Sequence, residues 1–140
     1  LAEALKVSEE NSFARYQCLQ PEYNLYARAG YENGLEELCV KENIGVISYF
    51  SLARGFLSGK YRSDEDLAQS ARGEGVKTYL NDRGFRILAA LDQLAKEYSS
   101  KPSRIALAWL IARPSITAPI ASATNINQLE DLIASTKIIW

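Results

Sequence analysis

Histidine and methionine are both absent from this chain, and only two cysteines occur in its 140 residues. Without an imidazole there is no Ser-His-Asp or Cys-His nucleophile, no His-ligated metal and no imidazole acid or base within it. Cys18 and Cys39 stand far apart with no CxxC pairing, so they read as small buried hydrophobes of a reducing compartment, not as metal ligands. Neither sign of charge is in excess: 16 basic side chains face 17 acidic ones, for a net charge of −1. With no Lys/Arg block, the electrostatic footprint of a nucleic-acid or anionic-membrane binder is missing. No apolar run reaches the roughly 18 residues of a membrane span, and Leu1 to Glu10 mix charge with apolar residues instead of forming a signal-peptide core. The expected location is the cytoplasm. The missing initial Met makes the start read as a cut through a longer polypeptide.

What is present is an ordinary globular composition, 47% apolar and 24% charged, with enough apolar material for a core. Helix and strand signals alternate. Leu1, Leu5 and Val7 fit the end of an amphipathic helix, and Phe13 to Leu19 form a β-rich run closed by Gln20-Pro21. Leu35, Leu38 and Cys39 give a helical stripe after Gly34, followed by the strand-forming run Gly45 to Phe50. A glycine-bearing loop over Ser51 to Tyr61 comes next, then a polar stretch from Arg62 to Thr78 with no core pattern, expected to run over the surface. Asn81 or Asp82 caps a helix carrying Phe85, Leu88, Leu91, Leu94, Ala95 and Tyr98, and Pro102-Ser103 starts another that is apolar nearly all round. Ile116 to Ile120 supplies a third strand, and Asn125 with Gln128 makes a capping-box-like start for a last helix over Ile126 to Ser135. The order implies an α/β fold with a parallel sheet in a single domain over residues 1–140. Three strands form either a small doubly wound sheet or the last part of an eight-stranded (β/α) barrel.

The loop from Ser51 to Tyr61 follows directly on a strand, where ligand loops gather at the carboxyl edge of parallel sheets. Gly55 and Gly59 permit tight backbone turns, Ser51 and Ser58 offer hydroxyl donors, and Lys60 adds charge. That is the chemistry of a phosphate or pyrophosphate cradle, although a merely tight surface loop would use the same glycines. It is not a Walker A loop, because Tyr61 stands where Ser or Thr would coordinate magnesium, and no GxGxxG fingerprint occurs.

Four segments in order carry a resemblance: Leu19-Gln-Pro-Glu-Tyr-Asn-Leu-Tyr26, Gly45-Val-Ile-Ser-Tyr-Phe-Ser-Leu-Ala-Arg-Gly-Phe-Leu-Ser-Gly-Lys60, Ala106-Leu-Ala-Trp-Leu110, and Pro119-Ile-Ala-Ser-Ala-Thr-Asn-Ile-Asn-Gln-Leu129. Together they resemble the aldo-keto reductase family over nearly the whole chain. The resemblance implies a (β/α)8 TIM barrel of which these are strands six to eight with their helices, with about the first half of a barrel of roughly 250 residues lying elsewhere. It implies NADP(H) as cofactor, with NAD possible, and a small-molecule carbonyl substrate reduced by hydride transfer.

By the same resemblance Gln20 hydrogen-bonds the nicotinamide carboxamide and Tyr49 stacks on the nicotinamide ring. Phe50, Ser51, Leu52, Gly55, Leu57, Ser58 and Lys60 surround the pyrophosphate and nearby ribose, partly as a closing flap, with Arg72 placed in the same region. Thr124, Gln128 and Asp131 face the adenosine end. The chain departs from the family pattern at Phe50, where Ser is common, at Ser122, where Gly is common, and at Leu132, where Asn often contacts adenine. No Arg or Lys lies between Ala121 and Asp131, where the family often places a cation for the 2′-phosphate. The family's catalytic Asp, Tyr, Lys and His belong to earlier strands, which agrees with the zero histidine count. The expected partners are therefore the missing N-terminal half-barrel or a second copy, with neither nucleic acid nor membrane, and the chain alone is expected to be inactive. A non-catalytic nucleotide-binding or regulatory module of the same fold is the competing reading.

Overall fold

A computed structural model describes residues 1–69 and 73–140. The chain opens with α1 (Ala2–Glu10) and β1 (Cys18–Leu19), passes through α2 (Ala29–Glu32) and α3 (Leu35–Lys41), and enters β2 (Gly45–Ser48). Three 3-10 stretches follow, Ala53–Ser58, Asp64–Gln69 and Glu74–Tyr79. The chain ends with α4 (Asp82–Glu97), α5 (Pro102–Ile111), β3 (Ala118–Pro119) and α6 (Ile126–Ser135). No helix among the described residues is long and apolar enough to cross a membrane.

The strands form one parallel sheet in the order β1-β2-β3. Cys18 lies opposite Gly45, Leu19 opposite Val46, Ile47 opposite Ala118 and Ser48 opposite Pro119. The strand expected over Phe13 to Leu19 shrinks to its last two residues, for a geometric reason. In register, residues before Cys18 would need partners before Gly45, where the chain is still leaving α3. The ladder is prolonged at the other end by a bridge between Glu22 and Tyr49. β3 is likewise shorter than its apolar run, though Thr117 N–H donates to Val46 O (2.9 Å) and Ile120 N–H to Ser48 O (2.8 Å) beside it.

Side-chain alternation divides the sheet into two unlike faces. Leu19 and Val46 pack with Leu5 of α1, Tyr31 of α2, Cys39 of α3, Leu110 of α5 and Ile116. The opposite face carries Cys18, Gln20, Ile47, Tyr49, Ala118 and Ile120, all exposed except the half-buried Ile47. A second core joins the 3-10 stretch Ala53–Ser58 to α4 and α5 through Phe56, Leu57, Leu88, Leu91 and Ile105. At roughly 1.5–3 kcal/mol for each large apolar side chain fully buried, this cluster fixes the loop after β2 to the helices.

Most described residues of the polar stretch from Arg62 to Thr78 lie at the surface, as expected, but the absence of a core pattern hid an inward-pointing side chain. Val76 is wholly buried and packs in that second core together with Tyr79. A 3-10 turn brings residues three apart onto the same side, so the two point inward together from a sequence without helical or strand periodicity. Asn81 is the N-cap of α4, its side chain accepting from Gly84 N–H at 3.0 Å.

Candidate functional site

The carboxyl ends of β2 and β3 lie side by side, so the loop after β2 and the start of α6 emerge at one edge of the sheet. In parallel sheets this is the edge at which ligands bind, because the connections that leave it form the crevice.

Tyr49 is fixed there by its backbone. Its N–H donates to Pro21 O at 3.0 Å and its carbonyl accepts from Tyr23 N–H at 3.4 Å. Its ring projects from the open face, 36% exposed, on the same side as Gln20 at the end of β1. Phe50 meets that ring edge-on at 5.0 Å. From there the backbone repeatedly enters the left-handed region: φ is 51° at Phe50, 48° at Ala53, 58° at Arg54, 99° at Gly55 and 80° at Gly59. Such angles suit the two glycines but cost the other three residues on the order of 1–2 kcal/mol each.

The surrounding structure holds this strain in place. Asn24, fully buried, donates from Nδ2 to Phe50 O (2.9 Å), while its Oδ1 accepts from the backbone N–H groups of Tyr26 (2.9 Å) and Ala27 (2.8 Å). Ala53 N–H also donates to Phe50 O at 2.6 Å. The Arg54 guanidinium lies 4.4 Å from the centre of the Phe50 ring, a cation–π contact that clamps the turn from outside. Ala53, Phe56 and Leu57 are wholly buried beneath it. Strain that persists because its surroundings over-determine it is a mark of functional loops.

The structure places the remaining predicted residues of this loop as follows. Ser51 is buried and donates to Ser48 O at 3.3 Å, and Ser58 donates to Gly55 O at 2.7 Å, so both hydroxyls serve the loop's own backbone. Leu57 points into the core, which leaves only its backbone near the edge. Leu52 is half-buried against the same core. Lys60 is exposed, its ammonium 4.9 Å from the Tyr61 ring centre and its stem passing beside Gly55. Arg72 lies outside the described residues.

At the neighbouring edge position, Asn125 caps α6 by accepting from Gln128 N–H at 2.9 Å. The Gln128 side chain reaches back one residue further than a capping box requires. Its Oε1 accepts from the N–H (2.9 Å) and the hydroxyl (3.1 Å) of Thr124. Asp131, one turn on, accepts from Lys101 Nζ (2.9 and 3.0 Å) and from Arg104 Nε (2.9 Å) and Nη2 (2.6 Å). Burial pushes its carboxyl up, but the hydrogen bonds from Lys101 and Arg104, with the charges behind them, outweigh that and hold it below the ordinary aspartate range. The two halves of the site meet at the amino end of α5: a Cβ on Gly59 would lie 3.4 Å from Pro102 Cγ.

Sequence reading passed over Asn24, Arg54, Lys101 and Arg104. Asn24 had a usable signal, a small amide between large apolar neighbours in Tyr23-Asn24-Leu25, the residue type that folds back on its own backbone. The two cations on Asp131 had none, since 30 and 27 residues separate them from it.

An exposed aromatic ring, an amide, two cations beside a left-handed turn and a hydroxyl-amide pair at a helix start thus line one edge of a parallel α/β sheet. This donor set suits an elongated ligand with aromatic and anionic parts. The sequence profile of the Aldo/keto reductase family matches residues 2–138, and the chain belongs to that family. Among curated proteins it is similar to a probable voltage-gated potassium channel subunit beta of Arabidopsis thaliana, 29% identical over 86% of this chain and 38% of the relative. An aldo-keto reductase of Schizosaccharomyces pombe whose name specifies NADP(+) is 26% identical over 76% of this chain and 32% of its own length. The L-glyceraldehyde 3-phosphate reductase of Escherichia coli O157:H7 is 29% identical over 80% and 34% respectively. The chain spans about a third to two fifths of the length of these relatives.

Proposed function

We propose that this chain is the cofactor-binding part of an NAD(P)H-dependent oxidoreductase that reduces aldehydes or ketones to alcohols, corresponding to strands six to eight of a (β/α)8 barrel. The observation that carries the reading is Tyr49, exposed on the open face of the sheet beside Gln20 and at the foot of the strained turn. An aromatic ring offered to solvent while its backbone is pinned on both sides is suited to stacking on a planar ligand.

Gln20 would hold the carboxamide of a nicotinamide and Tyr49 would cover one face of its ring, leaving the other face open. Phe50, Ser51, Leu52, Gly55, Leu57, Ser58 and Lys60 would surround the pyrophosphate and nearby ribose, Leu57 through its backbone. Thr124, Gln128 and Asp131 would take the adenosine end. When bound, a reduced nicotinamide dinucleotide supplies the hydride that such a reduction needs. The proton for the carbonyl oxygen would come from the family's Tyr on strands outside this chain, completing the open face. The cytoplasm is the proposed location.

A purely nucleotide-binding, regulatory role is the second reading, favoured by the similarity to a potassium channel beta subunit. Both readings require the dinucleotide. Titrating the chain with NADPH and NADH should quench its tryptophan fluorescence, and Tyr49→Ala should weaken binding by about tenfold, the equivalent of one lost stacking contact. Binding unchanged in Tyr49→Ala would discard the placement of the nicotinamide. Carbonyl reduction at ordinary enzyme rates by the chain alone would discard the division of labour.

A further inference from the structure

The carbonyl of the strained residue Phe50 is held from a distance as well as from beside it. Asn24 donates from Nδ2 to Phe50 O, and it can aim that amide only while its Oδ1 accepts from the N–H groups of Tyr26 and Ala27. Tyr26 is in turn gripped from the amino end of α4, 57 residues away along the chain. Arg83 Nη2 donates to Tyr26 O at 2.6 Å, and the same guanidinium lies 4.6 Å from the centre of the Tyr26 ring. Asn81 Nδ2 donates to the Tyr26 hydroxyl at 2.9 Å, and Tyr79 meets the ring edge-on at 4.9 Å. An unbroken series of contacts therefore runs from Arg83 through Tyr26 and Asn24 to Phe50, whose ring abuts Tyr49. Among the described residues Arg83 makes no ion pair, so its guanidinium serves Tyr26 alone.

We infer that Arg83 is a positioning residue for the aromatic pair Tyr49 and Phe50: by clamping Tyr26 it keeps Asn24 on the Phe50 carbonyl, and so keeps the Phe50 ring against Tyr49. The inference rests on the stacking role proposed above for Tyr49, and it adds a residue that acts on that ring only through Tyr26. The lever is backbone strain. Phe50 sits at φ 51°, which an L residue with a bulky side chain leaves once the contacts that over-determine it are loosened. Release of Tyr26 frees Asn24, Phe50 turns toward negative φ, and its ring moves away from Tyr49. The stacking surface then loses the neighbour that fixes its orientation.

The test is Arg83→Ala in the 140-residue chain, with Arg86→Ala on the same helix as the control, since both residues are exposed. Two-dimensional NMR of the free chain reads the Phe50 amide and the Tyr49 ring, and titration with NADPH followed by tryptophan fluorescence reads the cofactor. Arg83→Ala should shift both sets of resonances and weaken NADPH binding by about fivefold. Arg83→Lys, which keeps a donor within reach of the Tyr26 carbonyl but loses the planar fork, should recover part of both. Arg86→Ala should change neither. If Arg83 serves the fold alone, Arg83→Ala lowers the unfolding midpoint and leaves the resonances and the affinity where they were, which overturns the inference. Equal weakening by Arg83→Ala and Arg86→Ala would reduce the effect to a general loss of positive charge and overturns it as well. Should the unaltered chain not bind NADPH, the dinucleotide reading falls, while the resonances by themselves still decide whether Arg83 sets the aromatic pair.

Discussion

Gly84→Ala is expected to destabilise the chain, although alanine is the better helix former. Gly84 lies in the first turn of α4, one residue type away from a gain of up to about 1 kcal/mol in helix propensity. Its Cβ, however, would fall 1.9 Å from Tyr79 O and 2.9 Å from Phe56 Cζ. The carbonyl belongs to the backbone leading into the Asn81 cap, and the Phe56 ring is wholly buried and stacked on Tyr79 at 5.4 Å, so neither neighbour can swing aside. Overpacking a fixed core site costs about 1–3 kcal/mol, and an overlap with backbone belongs at the upper end. Subtracting the propensity gain leaves a net loss of about 2 kcal/mol. Urea denaturation followed by far-UV circular dichroism measures it as a lower midpoint at unchanged slope. Gly30→Ala is the control: it sits in α2 with nothing within 4 Å of its Cβ, and should be neutral or stabilising by about 0.5–1 kcal/mol. Equal effects of the two substitutions would refute the packing argument. A rise in midpoint for Gly84→Ala would do so outright.

Asn24→Ala should cost about 2–4 kcal/mol, because it leaves Phe50 O without one donor and two backbone N–H groups without their acceptor in a buried turn; Asn24→Asp, which keeps the acceptor, should retain more of the stability, and thermal unfolding of the two variants compares them. Stability should also fall in acid through Asp131. Its carboxyl is held below its unfolded value, so the folded chain binds fewer protons across that window. The contribution is present above about pH 4, the ordinary aspartate range, and is lost as pH falls through the lowered native value. Asp131→Asn should flatten this acid limb by on the order of 1 kcal/mol, read from denaturation midpoints between about pH 3 and pH 7, and an unchanged limb would remove Asp131 from the account.

The elements that sequence pattern located best are those whose information is local. The α4 cap, offered by pattern as Asn81 or Asp82 and taken by Asn81, the α5 start at Pro102 and the α6 cap at Asn125 each depend on residues within one turn. Strand lengths were legible only as upper bounds. Ladder pairing depends on where a distant partner begins, and Gly45 truncates what Phe13 to Gln17 could have extended. Val76 was invisible for a related reason: the 3-10 turn buries Val76 and Tyr79, three residues apart, in a segment too short to leave a repeat behind.

The candidate site divides along the same line. Tyr49 and the glycine turn could be read because a strand end and a φ requirement are written in consecutive residues. The fate of the hydroxyls could not, since a serine near a left-handed turn serves a ligand or a carbonyl equally well by composition, and Ser51 and Ser58 both chose carbonyls. Charge placement is the least local of all. The pattern around α6 contains no cation before Asp131, yet packing of α5 against α6 delivers two to it. The ionic partners of Asp131 are therefore set by which helix lies alongside α6, and they are found across the helix–helix contact instead of along the connecting loop.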